Sequence, residues 1–236
     1  MSDPVRVALF GSSGLIGSTI IQLCVGREDV HLSAVARTAL PLPPGARMEL
    51  FVAEADKWGE VLEALHPTAV ICALGTTWKK AGKDEAAFRA VDQELVLALA
   101  RAAQAQDVQR FVTVSSAGAD PHTDNFYLKV KGETDRELTK MWKGRLDVLR
   151  PGLLRGKRRG DRRIGERLGI VVSPLVNPFL GGRMRAFRAI DAETVARAAL
   201  YLAMRPARGR FVHDNDAIQR AARSLPQPLA ESGAQA

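Results

Sequence analysis

The segment that most restricts the fold is Val5-Arg6-Val7-Ala8-Leu9-Phe10 running straight into Gly11-Ser12-Ser13-Gly14-Leu15-Ile16-Gly17. Six residues rich in β-branched and apolar side chains read as a strand buried on both faces. Three glycines at three-residue spacing follow, and an apolar helical pattern opens immediately after them over Leu15–Val25. A strand that enters a helix through so short a turn brings backbone against backbone, and side chains there would clash. Gly11, Gly14 and Gly17 fit the three needs of such a turn: the bend itself, close approach of a ligand, and packing of helix on strand. The helix N-terminus then presents free N–H groups and a positive dipole end to an anion. The spacing G-x-x-G-x-x-G is a variant of the dinucleotide-binding G-x-G-x-x-G pattern, in the strand–turn–helix context that the pattern requires.

The rest of the chain alternates in the same way. Val30–Ala36, Met48–Val52, Ala69–Ala73, Arg110–Ser115 and Leu146–Arg150 read as strands. Between them lie helical patterns over Asp84–Gln106, with Phe88, Val91, Leu95, Leu99 and Ala102 on one stripe, and over Tyr127–Met141. Alternation of this kind predicts an α/β protein with a doubly wound parallel sheet. Beyond Pro151 the pattern changes to a charged loop, an ambiguous stretch at Ile164–Val172, an amphipathic helix over Ala192–Met204 and a short last strand at Gly209–His213. The reading is one nucleotide-binding domain over residues 1–223, with about 152–223 forming a small C-terminal lobe on the substrate side, and a flexible tail over 224–236.

A second constellation lies halfway along. Phe111-Val112-Thr113-Val114-Ser115-Ser116 ends a strand, and Tyr127-Leu128-Lys129-Val130-Lys131 opens the next helix. Tyr127 and Lys131 are four apart and share a helix face. A phenol is a poor proton donor or acceptor at neutral pH, and a nearby ammonium favours its phenolate. Tyr127 is therefore a candidate general acid–base, with Lys131 tuning it and Ser116 at the strand's carboxyl end orienting a substrate oxygen. Ser115 competes for that role, because neighbouring residues of a strand face opposite sides. At the end of the second strand, where a carboxylate would hold a ribose 2′-hydroxyl, stands Arg37. An arginine there suits a 2′-phosphate and predicts NADP(H) over NAD.

Taken as a set, these residues resemble the atypical short-chain dehydrogenases/reductases. They are similar in particular to the Tat-interacting-protein group of NADPH-binding oxidoreductase-like proteins. The likeness is carried by Leu9–Gly17, Cys72-Ala73-Leu74-Gly75-Thr76-Thr77, Lys80-Ala81-Gly82-Lys83, Val114–Asp120, Asn125–Glu133 and Leu149-Arg150-Pro151-Gly152, and the helix at Ala192–Met204 extends it. The resemblance implies a Rossmann fold binding NADP(H). Ala73, Leu74 and Gly75 would line the cofactor, Lys131 would hold the nicotinamide ribose, and Pro151 and Gly152 would lie near the nicotinamide. The expected cofactor set is then Gly11, Ser13, Gly14, Leu15, Ile16, Gly17, Arg37, Ala73, Leu74, Gly75, Lys131, Pro151 and Gly152, and the expected catalytic set Ser116, Tyr127 and Lys131. The function implied is hydride transfer between NADP(H) and a carbonyl or alcohol. The alternative is a non-catalytic NADP(H)-binding sensor or regulator. A fold of this kind often dimerises through its long helices.

Charge and cysteine usage bound the partners. The formal net charge is +8, and Arg155, Lys157, Arg158, Arg159, Arg162 and Arg163 crowd one stretch beside the expected substrate pocket. Recognition of a phosphate or carboxylate is one reading of that stretch, an acidic partner, nucleic acid or membrane lipid is a second, and a solvated loop is the third. No aromatics interleave with it, which argues against a nucleic-acid platform. No apolar run approaches the roughly 18 residues of a membrane span. Two cysteines and four histidines offer no metal-ligand spacing. Cys24 and Cys72 read as buried thiols in a reducing compartment and, with no secretory signal in view, the expectation is a cytoplasmic protein.

Overall fold

A computed structural model describes residues 3–156 and 187–227. Its centre is a seven-stranded sheet, all parallel. The strands are β1 (Val5–Phe10), β2 (Val30–Ala36), β3 (Glu49–Val52), β4 (Ala69–Cys72), β5 (Arg110–Val114), β6 (Arg145–Leu149) and β9 (Gly209–His213), in the order β3-β2-β1-β4-β5-β6-β9. Strand order reverses between β1 and β4, so their carboxyl ends flank the crevice where doubly wound sheets bind ligands. This is a Rossmann-like fold. Two further strands, β7 (Leu154–Arg155) and β8 (Ile190–Asp191), pair in a small parallel sheet.

The helices are α1 (Leu15–Leu23), α2 (Trp58–Leu65), α3 over 85–105, α4 (Phe126–Met141), α5 (Ala192–Ala203) and α6 (Asn215–Arg223). One face of the sheet packs on α1, α5 and α6 through Ile16, Ile20, Val195, Ala199 and Ile218. The other packs on α2, α3 and α4 through Leu62, Leu99, Ala103 and Leu138. Both faces of the central strands are buried, which is why β1 and β4 read as continuous apolar runs instead of alternating ones. The thiols of Cys24 and Cys72 are both buried, and their apolar surroundings push their pKa up to about 12 and about 11.

Two features depart from expectation. The helix α3 is three pieces: Glu85–Arg89, a π-helical turn at Ala90–Glu94, and Leu95–Ala105. The π turn carries an extra residue and shifts the buried stripe by one. Asp92, Val96, Leu99 and Ala103 face inward after Phe88, while Val91, Leu95 and Ala102 are only partly buried. Helices α2 and α6 have no counterpart in the sequence expectation. In α2, Trp58 and Leu62 are the buried residues, too few for a clear stripe. Of the arginine run, Arg155 pairs with Asp191 at 3.2 Å, and the remainder from Lys157 to Arg163 lies outside the described residues, as do Ile164–Val172 and the tail beyond residue 227.

Candidate functional site: the carboxyl ends of β1, β4 and β5

The turn after β1 is built as backbone on backbone. Gly11 has φ +85°, in the left-handed region, and a Cβ there would lie 2.5 Å from the carbonyl carbon and oxygen of Ala73. The crossing of the β1 and β4 ends is therefore closed to any side chain at position 11. A Cβ on Gly17 would press into the Gly11 carbonyl, so α1 sits directly against the turn. Ser12 is fully buried and donates to Val35 O at 2.9 Å, tying the turn to the end of β2. Ser13 is exposed, and among the described residues no side chain caps the N-terminus of α1 at Gly14. An uncapped helix start with no acidic residue in its first turn is suited to an anion. Arg37 is exposed just past the end of β2.

The second half of the site stands on β5, β6 and α4. Ser115 N–H donates to Leu149 O at 2.7 Å and Ala117 N–H to Pro151 O at 2.8 Å, so the ends of β5 and β6 are stapled together. Gly152 N–H donates to Asn215 Oδ1 at 2.9 Å. The two serines are in different situations. Ser115 is buried and donates to Asp135 Oδ2 at 2.9 Å, whereas the Ser116 hydroxyl makes a local bond to Ala117 O at 3.2 Å. Asp135 also receives Arg150 Nε at 2.8 Å. Burial raises the Asp135 pKa, against the pull of Arg150 and the Ser115 hydroxyl. Ser115 is thus held by a structural network, and Ser116 is the hydroxyl of the pair with the weaker tie.

Asn125 caps α4 by accepting from Leu128 N–H at 3.1 Å, and the helix carries Tyr127 and Lys131 one turn apart. The Tyr127 ring packs on Phe88 at 5.5 Å between centroids and remains about one-third exposed, at 36%. Lys131 is buried, with its Nζ 2.7 Å from Asp92 Oδ1 and 3.4 Å from Val114 O. Burial alone would push the ammonium's pKa down. Asp92, Tyr127 and Asp135 together outweigh it, and the net direction is up. The other Asp92 oxygen accepts from Thr76 N–H at 2.7 Å. A line of contacts therefore runs from Gly11 through the Ala73–Thr76 turn and Asp92 to Lys131.

Sequence reasoning missed Asp92, Asp135 and Arg150. The signal for Asp92 was present: it is a carboxylate four residues after Phe88, and residues four apart share a helix face. His213, at the end of β9, belongs to a second buried charge cluster. Its Nε2 lies 2.8 Å from Asp147, itself fully buried and held by Arg145 Nε and Nη2 at 2.6 and 2.9 Å. Among the described residues no group of three or more His, Cys, Asp or Glu could hold a metal ion, and no helix is long and apolar enough to cross a membrane.

Comparison with known proteins agrees with this geometry. Residues 11–206 match a family described as NAD(P)H-binding. The protein FMP52, mitochondrial, of Meyerozyma guilliermondii is 30% identical over 206 residues, covering 86% of this chain and 87% of that protein. The protein of the same name from Saccharomyces cerevisiae is 32% identical over 155 residues, 64% of this chain and 66% of that protein. Among solved structures, UDP-glucose 4-epimerase of Thermus thermophilus in complex with NAD superposes with a TM-score of 0.65 at 16% identity, over 94% of this chain and 82% of that one. The Thermotoga maritima UDP-glucose 4-epimerase gives 0.65 at 14% identity, over 89% and 76%. At such identity the likeness speaks for the fold. The relatives also correct one expectation. They carry the name of mitochondrial proteins, which overturns the cytoplasmic assignment. Buried thiols require only a reducing compartment and do not choose between compartments. The glycine turn, the strand order and the family match agree, and the chain belongs to the NAD(P)H-binding family.

Proposed function

We propose that the protein is an NADP(H)-dependent oxidoreductase of the short-chain dehydrogenase type, acting on a carbonyl/alcohol pair. The observation that carries this reading is the line of contacts from the Gly11 turn to Lys131, with Tyr127 exposed one helical turn before that lysine. The cofactor fits the residues present. The uncapped start of α1 would take the pyrophosphate through the backbone of Ser13, Gly14, Leu15, Ile16 and Gly17, and the glycines leave room for it. Ala73, Leu74 and Gly75 would line its path, Pro151 and Gly152 would border the nicotinamide end, and Lys131 would hold the ribose. Arg37, exposed at the end of β2, is the group that would pair with a 2′-phosphate and favour NADP(H).

When bound, the cofactor supplies the hydride. The chain's own groups do the rest. Ser116 donates a hydrogen bond to the substrate oxygen and holds the carbonyl in line. Tyr127 delivers its phenolic proton to that oxygen as negative charge develops on it, and takes a proton back in the oxidative direction. Lys131 stabilises the phenolate left behind. The likeness to the Tat-interacting-protein group belongs to this proposal, as does an anionic substrate.

The test is oxidation of NADPH by the purified protein over a broad panel of carbonyl compounds, with Tyr127→Phe and Ser116→Ala alongside. Turnover in the wild type that falls by about a hundredfold or more in Tyr127→Phe, with NADPH binding retained, is the expected result. Turnover undiminished in Tyr127→Phe would refute the role of the phenol. Tight NADPH binding without turnover on any compound would favour the sensor reading.

A further inference from the structure

A carboxylate buried to 1% on the apolar stripe of a helix needs a reason. Asp92 sits on the π turn of α3, a kind of irregularity that concentrates at functional sites. Its two oxygens are divided between two parts of the site. One lies 2.7 Å from Lys131 Nζ, and the other accepts from Thr76 N–H at 2.7 Å. The carboxylate fits because position 75 is glycine, where a Cβ would come within 3.3 Å of Oδ1. Thr134 Oγ1 donates to Asp92 O at 3.2 Å, fixing the turn's backbone against α4.

Among the neighbouring charges, Asp135 also acts on Lys131, but none comes as close to it as Asp92. Asp135, one turn beyond Lys131, is taken up by Arg150 and Ser115. The Cys72 thiol on β4 has its pKa raised to about 11 by burial and is neutral. Arg89 and Glu133, on the same two helices, neutralise one another at 2.6 Å. The carboxylate in direct contact with the Lys131 ammonium is Asp92, and Tyr127 is one turn away. A lone ammonium beside a phenol draws it toward phenolate, while one already paired with a carboxylate does so far less.

We propose that Asp92 is a positioning residue and counter-charge: it pins the Lys131 ammonium to the cofactor-lining Gly75–Thr76 turn and offsets the charge that the ammonium presents to Tyr127 in carbonyl reduction. This rests on the reading of Tyr127 as the proton donor. The two claims are separable, because the offset is measured on the phenol itself without turnover.

The chain has two tyrosines, so Tyr201→Phe leaves Tyr127 as the one phenol to titrate by ultraviolet tyrosinate absorbance. In that background Asp92→Asn shifts the Tyr127 titration downward by about one pH unit, and Lys131→Met shifts it upward by a similar amount. Opposite directions are the mark of an offset charge pair, which a merely structural role would not produce. NADPH affinity falls about tenfold in either single variant, and the double variant binds no more weakly than Lys131→Met alone, because Asp92 acts through the lysine. Shifts in the same direction, no shift in Asp92→Asn, or losses of affinity that multiply in the double variant would overturn the proposal. Asp92→Ser, which keeps an acceptor for Thr76 N–H, serves if the asparagine variant does not fold. Carbonyl reduction surviving in Tyr127→Phe would instead remove the underlying reading and leave the charge offset standing.

Discussion

Replacing Gly17 with alanine should weaken both cofactor binding and the fold, although alanine is the better helix former. Gly17 lies within α1, where exchanging glycine for alanine ordinarily gains about 1 kcal/mol. Here the new methyl presses into the Gly11 carbonyl oxygen and stands 2.8 Å from both the Gly11 carbonyl carbon and Ser12 Cα. Carbon atoms settle at about 3.5 Å, so α1 or the turn has to retreat by roughly 0.7 Å. The obstructing atoms are all backbone, which leaves no side chain to swing aside. Overpacking of this kind costs about 3 kcal/mol at its upper end, giving a net loss of about 2 kcal/mol. For a chain of this size that lowers Tm by about 4–8 °C. The same retreat displaces the helix start from the phosphate position, and NADPH affinity should fall tenfold or more. Gly59→Ala is the control. Gly59 lies in α2, where a Cβ meets nothing within 4 Å, so its Tm should hold or rise slightly. Differential scanning fluorimetry and NADPH fluorescence titration of the two variants decide the matter. A Gly17→Ala protein with wild-type Tm and wild-type NADPH affinity would refute the claim that helix, turn and ligand share this contact.

Four other outcomes follow from the same structure. Arg37→Ala should lose about tenfold in NADPH affinity and leave NADH affinity within a factor of two, read by parallel titrations. Arg145→Leu leaves Asp147 as an uncompensated buried carboxylate beside His213 and should destabilise by about 3–5 kcal/mol in urea unfolding, whereas a loss under 1 kcal/mol would deny that the cluster is a buried ion pair. The thiols of Cys24 and Cys72 should resist alkylation in the native protein at neutral pH and react on unfolding. Because their folded-state pKa values, about 12 and about 11, lie above the ordinary 9.0, the stability they contribute is complete below pH 9 and is lost as pH rises toward 11–12. Urea midpoints measured at pH 8 and pH 10.5 should fall accordingly, and Cys72→Ala should flatten the decline.

What could be read from the sequence followed from how locally each feature is determined. β2 at Val30–Ala36 falls on its predicted residues, because a buried parallel strand writes itself as a short apolar run between breakers; β9 at Gly209–His213 does so as well, although it is an edge strand that leaves Phe211 and Val212 exposed. The glycine turn was legible for the same reason: Gly11 and Gly17 are required by backbone contacts within one strand–turn–helix unit. Long-range pairings were not. Lys131 was visible as a partner for Tyr127 four residues away, but its closest charge, Asp92, comes from another helix. The choice between Ser115 and Ser116 likewise depends on Asp135 and Arg150, which meet only in the folded chain. Helices α2 and α6 escaped because each is short and packs through few residues. Compartment was misjudged because nothing in burial or thiol chemistry distinguishes one reducing space from another.

A crystal structure of the protein with NADPH would test the central claim most directly. The account predicts the pyrophosphate at the N-terminus of α1 beside Ser13–Gly17, the 2′-phosphate against Arg37, and the nicotinamide ribose hydrogen-bonded to Lys131 with the Tyr127 hydroxyl facing the nicotinamide ring. A dinucleotide whose nicotinamide end lies away from Tyr127 and Lys131, or whose phosphates avoid the start of α1, would contradict it.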